Sequence, residues 1–345
     1  MEFKPIWFDS FGAKSSCTLV RTPDISILID PGIAVMQPSF PASDEMKINW
    51  KLEGRRKIME ASKEADCVVI SHYHWDHFLP RYLDIYKGKT LFVKNPNEYI
   101  NDSQRSRALN FFSQLWKKLG KSEIRLKKGK REMFTDTAEK LRSINKDFGD
   151  YNERREELLR KGKEWFLKKV SKWEKWKIIP EAEFKAVKII YPEGREFKFG
   201  KTKLRFTPPL FHGIEYSRVG WVFSTIIEYG GEKLIHSSDL NGPIIEDYAD
   251  FIIREKPTYL ILDGPMTYML GYTLNLINFR RVIENVKRIL KKTKFKLMIW
   301  DHHLPREKRF RERTKEVWNL AERLKRNLTT ARELVLGKKP VVELL

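Results

Sequence analysis

Ser71-His72-Tyr73-His74-Trp75-Asp76-His77 follows directly on the apolar run Cys67-Val68-Val69-Ile70. The run is short and rich in β-branched residues, so it predicts a buried strand that feeds a sharp turn. That turn gathers three imidazoles and a carboxylate, in a chain with only seven histidines. Neutral imidazole nitrogen and carboxylate oxygen are ligands for zinc and similar borderline cations, and one turn can aim several at a common point. A lone histidine is usually a satisfied core or loop residue. Four ligand-type side chains at this spacing point instead to a metal site.

Working outward, the segments 4–8, 17–21 and 25–29 read as consecutive hairpin strands, the last ending in Asp30-Pro31-Gly32. Residues 51–65 have helix-forming composition, 66–71 form the strand before the turn, and 90–93 form the next strand. Strand patterns resume at 188–191, 196–199, 203–207, 220–229 and 233–237, with two more buried strands at 259–262 and 295–300. Between the two sets, residues 95–185 are helical in composition, and 306–336 read as one or two amphipathic helices. Hairpins followed by strand–helix alternation in each half predict packed sheets with helices outside, an α/β (α+β) architecture. The whole of 1–345 is read as one domain, with 95–185 inserted into it.

A turn with few ligands cannot complete two metal sites, so further ligands have to come from later strand ends. His212 follows Thr207-Pro208-Pro209-Leu210-Phe211, Asp239 follows Leu234-Ile235-His236-Ser237-Ser238, and the pair His302-His303 follows Leu297-Met298-Ile299-Trp300-Asp301. The succession His72-Tyr73-His74-Trp75-Asp76-His77, His212, Asp239, His303 resembles the metallo-β-lactamase superfamily, and within it a branch of archaeal predicted hydrolases. Asp30-Pro31-Gly32 and Phe211-His212-Gly213 support the match, which covers residues 1–94 and 186–304.

The resemblance implies a four-layer αββα sandwich with a binuclear site at one edge. It implies His72, His74 and His212 on one metal, Asp76, His77 and His303 on the other, and Asp239 bridging. His302 is the alternative to His303. His303 is preferred because His303-Leu304-Pro305-Arg306 is similar to a His-Leu-Ser ending in superfamily nucleases. Asp30 is read as holding the loop beneath the site. Asp263, ahead of Gly264-Pro265, is read as orienting a histidine or capping the turn. The His-rich set favours two zinc ions, with iron or manganese as alternatives.

The chain holds 345 residues, 41% hydrophobic and 33% charged, enough for a substantial core on a surface of thermophile-like charge density. No apolar stretch approaches the roughly 20 residues of a membrane span. The N-terminal Met1-Glu2-Phe3-Lys4-Pro5 lacks a signal-type pattern, and Cys17 and Cys67 read as buried strand residues, so a cytoplasmic location is expected. The net charge of +21 is concentrated: residues 115–178 carry 21 Lys and Arg against 11 Asp and Glu, and 280–340 carry 20 against 7. Such segments attract polyanions, RNA or DNA among them, or simply form solvated mixed-sign helices. Trp173 and Trp176, interleaved with lysines, read as helix packing ahead of a base-stacking surface.

Two cations about 3.5–4 Å apart would supply hydroxide at neutral pH for in-line attack and polarise the substrate. Asp76 is then catalytic as well as a ligand, and His236 is the candidate proton donor to the leaving group, with the free member of the His302-His303 pair as a second candidate. Three functions compete. The favoured one is hydrolysis of a phosphodiester, nucleic acid included. A hydrolase of a small ester, lactone or thioester would use the same site. A non-catalytic nucleic-acid or protein-binding module with a structural metal is the third. The insertion is expected to affect substrate choice without changing metal stoichiometry.

Overall fold

The computed structural model describes residues 1–120, 126–128, 133–184 and 187–345. The first sheet contains β1 (Glu2–Phe8), β2 (Ser16–Arg21), β3 (Ser26–Ile29), β4 (Cys67–Ile70), β5 (Lys89–Val93), β6 (Ala182–Phe184) and β7 (Val187–Ile190) in the order β1-β2-β3-β4-β5-β7-β6. Its first three strands are antiparallel, and β3, β4, β5 and β7 run parallel. After β8 (Glu196–Phe199) and β9 (Thr202–Phe206), a two-strand ribbon of β10 (Leu210–Phe211) and β11 (Trp221–Val222) interrupts the chain. The second sheet then adds β12 (Thr225–Tyr229), β13 (Glu232–His236), β14 (Tyr259–Asp263), β15 (Leu297–Asp301) and β16 (Leu328–Thr329), in the order β16-β15-β14-β13-β12-β9-β8. It repeats the plan of the first: antiparallel from β8 to β13, parallel from β13 to β16.

Alternation along the strands builds the layers. Ile227, Leu234, Ile261 and Ile299 join the residues of the first sheet in one core between the sheets. Their neighbours Ile226, Ile235, Leu260 and Met298 point the other way, into a second core against α4 (Glu246–Glu255), α5 (Leu276–Lys292) and α7 (Lys315–Arg323). On the outside of the first sheet, α1 (Asp44–Ser62) brings Gly54 so close to Trp7 and Ile33 that a side chain there would collide with both. Beside it α2 (Asp102–Lys118) buries Phe111, Phe112, Leu115 and Trp116. The result is the αββα sandwich of the metallo-β-lactamase fold.

Four expectations need correcting. Residues 220–229 are not one strand: Ser224 exchanges bonds with Thr207, its N–H reaching Thr207 Oγ1 at 3.0 Å while Thr207 N–H reaches its carbonyl at 3.1 Å. That crossing splits the segment into β11 and β12. Within 95–185 the described α-helices are α2 and α3 (Asn152–Trp173), with two short 3-10 turns at Arg142–Asn145 and Gly149–Tyr151 ahead of α3 and β6 near the end. A helix expected at 51–65 starts earlier, at Asp44, where Ser43 caps it by accepting Met46 N–H. The terminal segment forms three short helices, α6 (Phe310–Arg313), α7 and α8 (Ala331–Leu336), with β16 between the last two.

Trp173 is fully buried under α3, in a cluster with Phe166, Trp221 and Tyr216, and its Nε1–H donates to the Ile100 carbonyl at 3.0 Å. Packing, not base stacking, is what it does. Trp176 is half-buried beneath the Arg105 guanidinium, 4.2 Å from its ring centroid. Many basic residues here are paired, including Lys169 and Lys172 with Asp102, and Arg160 with Glu164. Among the described residues no helix is long and apolar enough to cross a membrane.

Candidate metal centre

β4 is buried along its whole length, so the chain leaves it at a fixed point between β3 and β5. Asp30, at the end of β3 with φ 48°, fastens the turn that follows. Its carboxylate accepts the Ser71 N–H at 2.8 Å and hydroxyl at 2.7 Å, and meets His77 Nδ1 at 2.9 Å. Gly32 lets this loop lie against the turn: a Cβ there would fall 2.1 Å from Phe78 N and 2.2 Å from His77 N. Tyr73 is driven into the core, where its hydroxyl donates to the Lys94 carbonyl at 2.6 Å. With Tyr73 as anchor, His72 and His74 turn to the same side, while Trp75 stays 60% exposed.

His72, His74, His212 and Asp239 each offer a donor atom, and these atoms lie within 4.8 Å of one another. A second group at the same spacing contains Asp76, His77 and His302. Asp239 faces both. Its Oδ2 lies 3.4 Å from His72 Nε2, 3.1 Å from His212 Nε2 and 3.2 Å from His77 Nε2, and its Oδ1 lies 3.5 Å from His302 Nε2. All these residues come from loops at the C-terminal ends of strands, β4, β10, β13 and β15, at one edge of the sandwich.

His302, not the preferred His303, joins Asp76 and His77. Both residues have left-handed backbone, with φ 29° and 55°. Asp9 decides which ring faces the cluster: its Oδ1 lies 3.0 Å from His302 Nδ1, turning Nε2 inward, and its Oδ2 accepts the His303 N–H at 2.7 Å. His303 forms a third group with Asp239 and His302, its Nε2 3.9 Å from Asp239 and its Nδ1 3.5 Å from Asp263 Oδ2.

His236 is not placed to serve a substrate. It is buried, its Nε2 lies 2.9 Å from the Ser16 carbonyl, and its Nδ1 accepts the Ser238 N–H at 3.3 Å. Nε2 ties the second sheet to the first and Nδ1 holds the turn after β13, so both ring nitrogens are occupied. Asp263 accepts the Asn241 N–H at 2.6 Å and so secures the loop after Asp239, and it stands behind His303 rather than capping the turn at Gly264-Pro265.

Sequence reasoning missed two further groups. Asp9 also accepts the Ser15 N–H and holds Arg306, a buried arginine whose Nη2 has no hydrogen-bond partner and lies 3.7 Å from Asp76 Oδ2. Gln104, on α2, accepts the Tyr73 N–H at 3.1 Å and lies 3.4 Å from His74 Nε2, while its amide donates to the Val219 carbonyl at 2.7 Å. Three residues on, at helical distance, Arg107 donates to the Tyr73 carbonyl at 2.6 Å.

The donor set fits divalent cations. His77 Nε2, both nitrogens of His212, Asp239 Oδ1 and His302 Nε2 are buried without hydrogen-bond partners. Leaving so many polar atoms unsatisfied costs about 1–3 kcal/mol each unless something binds them. Without a cation, charge is shared among them unevenly. Burial pushes His72 down, with the His77 charge adding to it, to about 4. Burial opposes charge on His302 too, but Asp9 and Asp239 outweigh it and lift the ring to about 10. Burial would raise Asp76, yet His77, His302 and Arg306 hold it at about 2.

A sequence profile described as the metallo-beta-lactamase superfamily matches residues 12–79, the span from Asp9's loop through the histidine turn. The chain is 30% identical to the UPF0282 protein of Methanocaldococcus jannaschii over 325 residues, covering 91% of this chain and 87% of the relative. The chain belongs to the UPF0282 family. Another member, from Korarchaeum cryptofilum, is 29% identical over 97% of this chain and 89% of its own. Among solved structures, a possible metal-dependent hydrolase from Veillonella parvula aligns with a TM-score of 0.44 at 13% identity, covering 95% of this chain and 94% of that one. In this UPF0282 chain the profile match takes in His72, His74, Asp76 and His77, whereas His212, Asp239 and His302 lie beyond it.

Proposed function

We propose that the protein is a metal-dependent hydrolase with two divalent cations, zinc favoured, and that its substrate is a phosphodiester. The carrying observation is one buried carboxylate, Asp239, facing imidazoles of two separate ligand groups with its two oxygens. His72, His74 and His212 would hold one cation, and Asp76, His77 and His302 the other. Cations held there would supply a hydroxide nucleophile near neutral pH and polarise the substrate oxygen.

The chain's own groups supply the rest. Asp76, kept ionised by its cationic neighbours, orients the attacking water by accepting its hydrogen at a carboxylate oxygen. Arg306 is held rigid by Asp9 and by Tyr268, whose hydroxyl accepts Nη1 at 3.2 Å, so its partnerless Nη2 is preorganised for an anionic oxygen. The role expected of His236 passes to His303, whose Nε2 faces Asp239 with Asp263 behind its Nδ1; burial and the Arg306 and His302 charges keep the ring neutral, so it would pass a proton on through its N–H rather than as an imidazolium. Arg306 is what favours a phosphodiester over a neutral ester, lactone or thioester, because a buried guanidinium next to the site is matched by an anionic substrate.

Elemental analysis of protein purified without added metal, paired with turnover of bis-p-nitrophenyl phosphate, a p-nitrophenyl ester, a lactone and a thioester, tests the reading. Phosphodiester turnover that falls by about a hundredfold or more in His72→Ala is expected. Preference for the ester, lactone or thioester would overturn the substrate class. Metal-free protein with full turnover would overturn the site.

A further inference from the structure

Beside the ligand turn lies a cavity of about 640 Å³, walled on one side by Trp75 and Phe78 and on the other by Lys14, Lys51, Arg55 and Arg81. The volume suits one nucleotide-sized ligand. Among the described residues no carboxylate lines it. Elsewhere on α1 basic residues are neutralised, Arg56 by Glu60 and Lys57 by Glu53, but Lys51 and Arg55, one turn apart and on one face, have no ion-pair partner among the described residues. Arg55 bonds only the neutral Tyr82 hydroxyl, with its guanidinium 4.8 Å from that ring's centroid. Four basic residues thus line one cavity, three of them, Lys51, Arg55 and Arg81, with no ion-pair partner among the described residues, and an anionic ligand would supply the missing counter-charge.

The aromatic half is equally exposed. Trp75 sits between two ligand residues with most of its surface in solvent and the Arg107 guanidinium 5.8 Å from its ring centroid. A large exposed tryptophan offers a stacking face that tolerates any base, and a flanking arginine adds to it. Asn110 and Gln114, further along the same face of α2, complete the wall. The cavity adjoins the ligand turn through Trp75, the residue between His74 and Asp76.

We infer that this cavity is a nucleotide subsite, in which Trp75 stacks on the base of the unit next to the scissile bond and Lys14, Lys51, Arg55 and Arg81 hold its phosphate. The inference rests on the phosphodiester reading above and narrows it to nucleic acid or a nucleotide ester. A neutral ester would leave the four cations unused.

Calorimetric titration of the as-purified protein with adenosine 5′-monophosphate, ribose 5-phosphate, adenosine and inorganic phosphate tests it. AMP should bind more tightly than each of the other three. The double variant Lys51→Ala/Arg81→Ala should weaken AMP and ribose 5-phosphate about tenfold with metal content unchanged, and wild-type AMP affinity should fall steeply with salt. Trp75→Ala should weaken AMP and adenosine about tenfold and spare ribose 5-phosphate, with Trp75→Phe restoring most of the loss. AMP affinity indifferent to Lys51, Arg81 and Trp75, absent AMP binding, or phosphate binding as tightly as AMP would each overturn the subsite. Hydrolysis of bis-p-nitrophenyl phosphate alongside indifferent AMP affinity would overturn the subsite alone, leaving the hydrolase standing. AMP binding that depends on these residues in a protein that hydrolyses no phosphodiester would support the subsite and overturn the hydrolase.

Discussion

Asp9 is 293 residues from His302 along the chain, yet it chooses which of two adjacent histidines meets the cluster. Adjacent residues share any sequence argument about strand ends, so His302 and His303 were inseparable by spacing; only a carboxylate from the first sheet and two left-handed backbone conformations separate them. The turn 71–77 was legible because its ligand types are dense and local, whereas Asp9 looks like an ordinary acidic residue until both sheets are assembled. His302→Ala should therefore lose bound metal while His303→Ala retains it, measured by elemental analysis at equal protein concentration; the reverse pattern would return the ligand role to His303. Proton uptake gives a second test. In metal-free protein the His302 pKa is raised from about 6.5 to about 10, so its stabilising contribution is complete below pH 6.5 and is lost as pH climbs through 10. His77 is displaced upward too, by Asp239 and Asp30 against the opposing effect of burial, and acts in the same direction. Thermal melts of chelated protein should drop between pH 6.5 and 9.5, by up to about 1.4 kcal/mol per pH unit for each proton released. Melts that rise over this range would contradict the charge assignment.

At the scale of elements, the strands that were readable were those with several alternating or fully apolar residues, such as β4 and β14. The two-residue strands β10, β11 and β16 carry no periodicity to read. Helical composition identified α2 and α3 but said nothing of what α2 touches. With Gln104 and Arg107 bonded to the backbone on either side of Tyr73, α2 braces the ligand turn, so part of residues 95–185 bears on how firmly a metal is held even if metal stoichiometry does not depend on them. Gln104→Ala should lower metal affinity roughly 10–100-fold, as removal of groups that orient ligands does, while leaving the fold intact. Competition with a chromogenic chelator would measure it, and unchanged affinity would reduce α2 to a packing element. On the other flank, Glu215 is buried between Arg155 of α3 and Arg281 of α5, with Glu246 bonded to the same Arg281. Glu215→Ala would leave Arg155 buried without a carboxylate and Arg281 with Glu246 alone, and should destabilise the protein by about 3 kcal/mol in denaturant melts.

Across the whole molecule, each sheet contributes only part of the centre: the turn after β4 supplies His72, His74, Asp76 and His77, and the second half supplies His212, Asp239 and His302. The order of these residues along the sequence was enough to propose a common site, because strand ends at one edge of a sandwich are neighbours whatever their separation in the chain. At that edge the halves are joined by Asp9 on His302, His303 and Arg306, by His236 on the Ser16 carbonyl and by the Ser238 hydroxyl on Ser71 Oγ at 2.7 Å, and the ligand set spans the same seam. A cation bound to both halves therefore stabilises the assembled sandwich rather than one sheet. At a free metal concentration a hundred times the dissociation constant, binding to the folded state alone contributes about 2.7 kcal/mol. For a chain of this size that corresponds to roughly 5 °C in Tm. Chelation should lower a single calorimetric transition by about that amount without splitting it, since both halves lose the same link. A chelated protein that melts in two steps would mean the sheets fold independently of the centre, and an unchanged Tm would mean that no cation had bridged them.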